Sequence, residues 1–210
     1  MIINYILLCI AFYLIGSIPT AYILVKFKYK KNLVIEGTGN IGARNTFDVT
    51  NSKLDGIIVL ILDFLKGLLP VLWLISSVKV KFGSLVFPIL CLIIGHNYSV
   101  WLKFKGGRGL STSAGIMAAV NFTLVILWLV FYFIAKALVK NVHIACVIAL
   151  IVLPLSIFIL KDIMLRFNNS SIAIEGGTSE LFVFTSAVCI IILLKHIQPV
   201  LEFLKNNLSS

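Results

Sequence analysis

Acidic side chains are scarce in this chain. Eight Asp and Glu stand against eighteen Lys and Arg, and only 12% of the 210 residues are charged. Soluble domains carry about 25% charged residues, so this scarcity argues against an ordinary water-soluble fold. Cysteine offers no scaffold either. Cys9, Cys91, Cys146 and Cys189 each sit inside an apolar run without C-x-x-C spacing, which leaves neither a disulfide framework nor a metal site. The histidines, His96, His143 and His196, lack metal-ligand spacing, which argues against a zinc hydrolase. No G-x-x-x-x-G-K-[ST] run occurs, so a nucleotide triphosphatase is disfavoured and no cofactor or metal is expected. There is no long basic arm. The net charge of +10 is spread over short loops, which suits anionic membrane lipid rather than nucleic acid. Met1 to Asn4 holds no basic residue and the first cation is Lys26, so the first apolar segment is expected to stay in the membrane uncleaved.

What the chain has in quantity is apolar surface. Apolar residues make up 60% of it and the mean hydropathy is +1.08. The apolar segments are about Ile2–Val25, Leu54–Ile75, Ser84–Leu102, Phe122–Val139, Val142–Leu160 and Leu181–Leu194, most of them near the ~20 residues a helix needs to cross the bilayer. Leu110–Val120 is also apolar but has only eleven residues, so the choice lies between six spans and seven. With the N-terminus outside and seven spans, thirteen cations face the cytoplasm (Lys26, Lys28, Lys30, Lys31, Arg44, Lys53, Lys103, Lys105, Arg108, Lys136, Lys140, Lys195 and Lys205). Four face outward: Lys79, Lys81, Lys161 and Arg166. Six spans give eleven against six, so the positive-inside bias favours seven. The expectation is an all-α integral membrane protein: one domain over residues 1–210, a seven-transmembrane-helix bundle with a short fourth helix, N-terminus outside and C-terminus cytoplasmic. The short helix must be shielded by its neighbours. The triplet Asn169-Ser170-Ser171 matches a glycosylation acceptor, a pattern too common to carry weight.

Two loops on the cytoplasmic side of that topology carry unusual chemistry. Gly95-His96-Asn97-Tyr98 leads into Lys103-Phe104-Lys105-Gly106-Gly107-Arg108-Gly109, which sets a histidine, three cations and three close glycines after an apolar run. Glycines let backbone N–H groups converge, and Arg108 offers a planar fork beside the point charge of Lys105, a combination suited to phosphate. Ser111 and Thr112 open the short helix that follows. The other loop reads Glu36-Gly37-Thr38-Gly39-Asn40-Ile41-Gly42-Ala43-Arg44-Asn45. It satisfies G-x-G-x-x-G formally, but a polybasic loop between membrane spans is not a βαβ unit, so the reading is an anion cradle rather than a dinucleotide site. Asp63 and Lys66 lie three apart inside an apolar segment and share a helix face. Such a pair either fixes helix packing or lends Lys66 to a substrate charge.

Five pieces in order resemble one known family: Gly16-Ser17-Ile18-Pro19-Thr20; Gly37-Thr38-Gly39-Asn40-Ile41-Gly42-Ala43-Arg44-Asn45; Leu62-Asp63-Phe64-Leu65-Lys66-Gly67; Gly95-His96-Asn97-Tyr98; and Phe104-Lys105-Gly106-Gly107-Arg108-Gly109. The family is that of the bacterial membrane acyl-phosphate:glycerol-3-phosphate acyltransferases (PlsY type). The resemblance implies a seven-span fold in the bacterial inner membrane with the site on the cytoplasmic side. It implies acyl transfer from a fatty acyl phosphate to glycerol 3-phosphate, yielding lysophosphatidic acid and phosphate in phospholipid synthesis. The catalytic candidates are Thr38, Asn40 and His96. Candidates for holding substrate and phosphate are Arg44, Asn45, Lys66, Asn97, Lys105, Gly106, Gly107, Arg108, Gly109 and Ser111. The expected partners are these two substrates and membrane lipids, with the protein acting as a monomer.

The chain departs from the family pattern in several places. Thr38 replaces Ser, Arg44 replaces Thr, and Asp48 stands where an arginine is usual. Arg108 replaces Lys, Ser99 replaces Pro, and a Ser-x-x-Ser pair becomes His143 and Cys146. Pro199 and Glu202 alter a C-terminal His-x-x-Asn-Ile-x-Arg-Leu pattern that begins at His196. Two rival readings follow: a divergent homologue with another acceptor or little activity, and a small anion-binding transporter. The absence of an inverted repeat ranks the transporter lower.

Overall fold

Pro19 divides the first apolar run. It has no N–H to continue a helix and it disfavours helical geometry at Ile18. In the computed structural model, which describes residues 2–77, 81–169 and 174–208 (side chains to 205), the run forms α1 (Ile2–Ser17) and α2 (Thr20–Tyr29). There follow α3 (Ala43–Thr50), α4 (Lys53–Ser77), α5 (Phe82–Asn97), a 3-10 turn at Val100–Leu102, and α6 (Leu110–Val120). The chain continues as α7 (Phe122–Val139), α8 (Val142–Ile159), α9 (Lys161–Arg166) and α10 (Gly177–Leu208). Among the described residues strand pairing is limited to two isolated bridges, Ser99 with Lys105 and Asn121 with Asn168. Lys79, and Ser170 and Ser171 of the Asn169 triplet, lie outside the described residues.

Among the described residues, five helical segments are long and apolar enough to cross a bilayer: Ile2–Tyr29, Lys53–Ser77, Phe122–Val139, Val142–Ile159 and Gly177–Lys205. Two shorter apolar helices, α5 and α6, accompany them. This is a multi-pass, all-helical membrane protein. Its outward surface is apolar: α7 buries only Leu124 and Ala135, while Leu138 is 78% exposed. In lipid such surface is at home, because hydrocarbon tails are as apolar as leucine.

With no hydrophobic drive between helices in lipid, close backbone approach through small residues holds them together. Two helix pairs do this reciprocally. A Cβ on Gly16 of α1 would strike the Leu92 carbonyl of α5, and one on Gly95 of α5 would strike the Tyr13 carbonyl of α1. Gly67 of α4 meets the Thr112 carbonyl of α6 in the same way, and Gly115 of α6 meets Phe64 of α4. The remaining helices pack α7 on α8 and α8 on α10. Phe82 and Phe184 meet edge to face at 5.2 Å within the main core.

The C-terminal end of α6 is closed by polar contacts. Its last free carbonyls are taken by Asn169, whose N–H reaches Val120 O at 3.1 Å and whose Nδ2 reaches Ala119 O at 2.9 Å. Asn121 accepts the Thr123 N–H at 3.0 Å and donates to Met164 O at 2.7 Å. A half-length helix in lipid is tolerated once its backbone groups are satisfied this way.

Three boundaries differ from the sequence expectation. The third segment stops being helical at Asn97 rather than continuing to Leu102, and the last helix runs over 32 residues rather than fourteen. The glycine-rich first loop also contains a helix, α3, packed on α4. A satellite core of Ala21, Val25, Leu33, Ile41 and Val59 fastens this loop to α2 and α4.

Candidate active site

The Ile18–Pro19 break leaves a carbonyl without a helical partner, and a buried charge takes it. Lys66 Nζ donates to Ile18 O at 3.0 Å and pairs with Asp63 Oδ1 at 2.9 Å. Thr20 Oγ1, just past the break, donates to the same carboxylate oxygen at 2.5 Å. His96 Nδ1 lies 3.8 Å from it. Asp63 therefore serves as a hub joining α2, α4 and α5, the packing role expected of the Asp63–Lys66 pair. Lys66 fixes the packing, and it also lines a small cleft with Ser17, Thr20, Ile41, His96, Ser99 and Gly106.

The glycines of the second loop lie flat on the end of α5. Gly107 N–H donates to His96 O at 3.0 Å. A side chain on Gly107 would collide with the His96 Nε2 face and with Ile41 O, so only glycine lets the loop close over the imidazole. Gly109 adopts φ +83°, a left-handed conformation that costs glycine little, and a Cβ there would lie 2.7 Å from Asn97 Oδ1. Asn97 is fully buried; its Nδ2 reaches Ile191 O at 3.4 Å, and among the described residues its Oδ1 has no hydrogen-bond partner. Thr112 Oγ1 and Ser113 Oγ, at the start of α6, are likewise buried without partners. Ser111 Oγ donates to Leu60 O at 2.7 Å and so ties α6 to α4.

The two motif loops touch. Ile41 N–H donates to Gly106 O at 3.4 Å. Asn45 is buried and organises the first loop: its Oδ1 accepts the Thr38 N–H at 2.8 Å, and its Nδ2 reaches Glu36 O at 3.1 Å. Asn45 thus spends its polar atoms on the loop itself. Thr38 is exposed on that turn, where its hydroxyl accepts from Asn40 N at 3.4 Å; Thr38 and Asn40 stand beside the small cleft and not in its lining. Arg44 Nε is held by Asp48 at 3.0 and 3.1 Å on an exposed face of α3. Lys105 is exposed, its backbone bridged to Ser99.

Arg108 is half-buried. Burial pulls its guanidinium below the usual arginine range, and Glu202 of α10 works against that shift. His143 and His196 lie within its electrostatic reach, and Arg44 also acts on His143. His196 Nδ1 lies 2.9 Å from Ile192 O; a carbonyl only accepts, so Nδ1 carries the proton and Nε2 receives the Cys146 S–H at 3.6 Å. The cleft residues Ser17, Thr20 and Ser99, and the Arg108 neighbours His143, Cys146, His196 and Glu202, were not among the sequence candidates. The altered Ser-x-x-Ser and His-x-x-Asn positions were the signal that pointed to the second group. Among the described residues no three His, Cys, Asp or Glu side chains gather as a metal site would require.

The arrangement offers cations on either side of a glycine loop, a buried imidazole beneath it, and apolar helices around it. That combination handles a phosphorylated, lipid-linked reactant. The family model described as glycerol-3-phosphate acyltransferase matches residues 6–206. A glycerol-3-phosphate acyltransferase of Endomicrobium trichonymphae is 32% identical over 206 residues, 97% of this chain and 95% of that one. One from Staphylococcus aureus (strain JH9) is 34% identical over 160 residues, 73% of this chain and 79% of that protein. Among solved structures, the glycerol 3-phosphate form of PlsY, an integral membrane glycerol 3-phosphate acyltransferase, superposes with a TM-score of 0.79 at 27% identity. That match covers 97% of this chain and 93% of the PlsY chain. The lysophosphatidic acid form of PlsY gives 0.77 at 26% identity. This chain therefore belongs to the glycerol-3-phosphate acyltransferase family.

Proposed function

We propose that the protein transfers a fatty acyl group from an acyl phosphate to a hydroxyl of glycerol 3-phosphate. The hydroxyl oxygen attacks the acyl carbonyl carbon, the bond from that carbon to the phosphate oxygen breaks, and phosphate departs with the electron pair. An acyl phosphate is already activated, so no covalent serine intermediate is needed. The work left to the protein is to hold two phosphates, stabilise developing negative charge and accept one proton. Arg108, Lys105 and the Gly106–Gly109 backbone grip phosphate, with Arg44 and Lys66 adding charge. Thr38, Asn40 and His96 stand nearest the reacting carbonyl, with Asn97, Asn45 and Ser111 shaping the loops around it. The proton goes to His96 or to a substrate phosphate oxygen. The observation that carries the reading is the glycine loop closed over His96 and touching the first loop through Ile41.

The same reading sets one domain of seven spans in the bacterial inner membrane, acting as a monomer. It counts α1–α2, α4, α5, α6, α7, α8 and α10 as spans, puts the N-terminus outside, and turns both motif loops to the cytoplasm. Cysteine-accessibility mapping tests it: Thr38 and Arg108 must be labelled from the inner face, and labelling from opposite faces rejects the topology.

For the chemistry, purified protein is supplied with acyl phosphate and glycerol 3-phosphate and the lysophosphatidic acid is measured. Unchanged turnover in Thr38→Ala, His96→Ala and Arg108→Ala together rejects the site assignment. A second reading has one observation in its favour: Asp48 occupies Arg44, and replacing a phosphate-facing arginine by aspartate costs about 1.5–3 kcal/mol. A homologue with a different acceptor, or little activity, gives no lysophosphatidic acid from folded protein.

A further inference from the structure

Asp55 is buried, 1% exposed, and plays no part in the chemistry above, yet it draws in donors 26 and 27 residues away along the chain. It stands in the first turn of α4, just after Ser52, whose hydroxyl accepts the Asp55 N–H at 3.3 Å. An acid at that position ordinarily complements the positive end of the helix dipole from an exposed site. Here it turns inward to the end of α2. Lys28 Nζ donates to both carboxylate oxygens, at 2.8 and 3.0 Å, and the Tyr29 hydroxyl donates to Oδ2. Lys28 also lies over the Tyr29 ring, 5.3 Å from its centre. The next residue, Gly56, seats α3: a Cβ there would lie 3.2 Å from Ala43 O and 3.3 Å from Phe47 Cβ. Consecutive residues of α4 thus fix the end of α2 and the start of α3.

Between those two anchors the chain carries the first motif loop. Lys31 Nζ braces the same base by donating to Val49 O at 2.9 Å. Ala43 follows Ile41 and Gly42 directly, so the seat of α3 decides where Ile41 meets the glycine loop. The Ile41 N–H to Gly106 O bond is 3.4 Å long, and a bond of that length holds little on its own. The register of the two loops must therefore be set from the base. Resting on the functional reading above, we propose that Asp55 is a positioning residue, whose grip on Lys28 and Tyr29 sets where Thr38 and Asn40 stand at the reacting carbonyl. Asp55 acts through the loop rather than on a reactant. A displacement of about 1 Å at a reacting centre is enough to cost on the order of 10²-fold in rate.

The test uses full-length protein in nanodiscs, with lysophosphatidic acid formation and amide hydrogen exchange read on the same samples. Asp55→Ala should lower kcat by about 10- to 100-fold, keep KM for both substrates within about twofold, and speed exchange across residues 36–45. Tyr29→Phe removes one hydroxyl and should move kcat and exchange the same way, by about threefold in rate. It decides the matter alone if Asp55→Ala does not fold. In a Thr38→Ala, Asn40→Ala background Asp55→Ala should cost little more, because the groups it places are gone. An undiminished kcat in the folded variants overturns the proposal, as does unchanged exchange across residues 36–45. An equal loss with and without Thr38 and Asn40 also overturns it, by reducing Asp55 to a support for the scaffold. A parent that transfers no acyl group rejects the functional reading instead, and the exchange data still decide whether Asp55 holds the loop.

Discussion

The two ends of the short helix α6 are built from the same materials and treated oppositely. At the C-terminal end Asn121 uses both polar atoms of its side chain, and Asn169 satisfies the last two carbonyls. At the N-terminal end Asn97 is equally buried, yet among the described residues its Oδ1 has no partner, and Thr112 and Ser113 leave their hydroxyls unpaired as well. Burying a polar atom without a partner costs free energy, so most folds avoid it. Among the described residues, the C-terminal end of the helix leaves one such atom, Asn168 Oδ1, beside Asn121. The N-terminal end leaves three, on Asn97, Thr112 and Ser113, beside the glycine loop.

That contrast can be broken at several points. The largest effect should come from the Asp63 hub. Lys66→Met or Asp63→Ala leaves a buried charge unpaired and should destabilise the protein by about 3–5 kcal/mol, with turnover lost, as read by thermal unfolding in detergent and by product assay. If both variants melt and turn over like the parent, the hub is not a hub. Next, Arg108→Ala should lower kcat/KM by about 10²–10³ without shifting the melting temperature, and Arg108→Lys should recover most of it. A melting shift matching the activity loss would recast Arg108 as a packing residue. The two asparagines sharpen the comparison most directly. Asn121→Ala should cost about 1–3 kcal/mol of stability, with full specific activity in the folded fraction. Asn97→Ala should leave stability nearly unchanged and lower turnover by about tenfold, equivalent to 1.4 kcal/mol. Equal behaviour in both assays would erase the distinction between the ends. The smallest effect belongs to Asp48→Ala. Freeing the Arg44 guanidinium should improve KM for glycerol 3-phosphate by about fivefold, a little under the 1.4 kcal/mol that a tenfold change represents.

Much of this was legible in the residues. Leu110–Val120 was readable as a short helix because an asparagine and a glycine loop bracket its eleven apolar residues, and α6 has those bounds. The spacing of Asp63 and Lys66 announced their pairing. The break at Ile18–Pro19 was harder to place, because a proline inside an apolar run is compatible with a kinked continuous span. What decides it is the Lys66 and Ser99 side chains that take up the freed carbonyls, contacts 48 and 82 residues away in sequence. The glycines of Gly106-Gly107-Arg108-Gly109 suggested converging amides. Their tightest constraint is instead contact with His96, Asn97 and Ile41, which no local pattern encodes. Asn45 was legible as part of the polar first loop, but not that its amide engages Glu36, Leu33 and Thr38 across that loop. The cluster of His143, Cys146, His196 and Glu202 around Arg108 brings together helices far apart in the chain, and only tertiary packing reveals it.

The splice between α1 and α2 has a further consequence. A kink in a membrane helix usually works as a joint, yet here each exposed oxygen of the kink is gripped by a different neighbour, Ser17 O by Ser99 and Ile18 O by Lys66. The elbow is welded. With both freed oxygens held from outside, the first helix has no loose hinge on which to swing against α4 and α5.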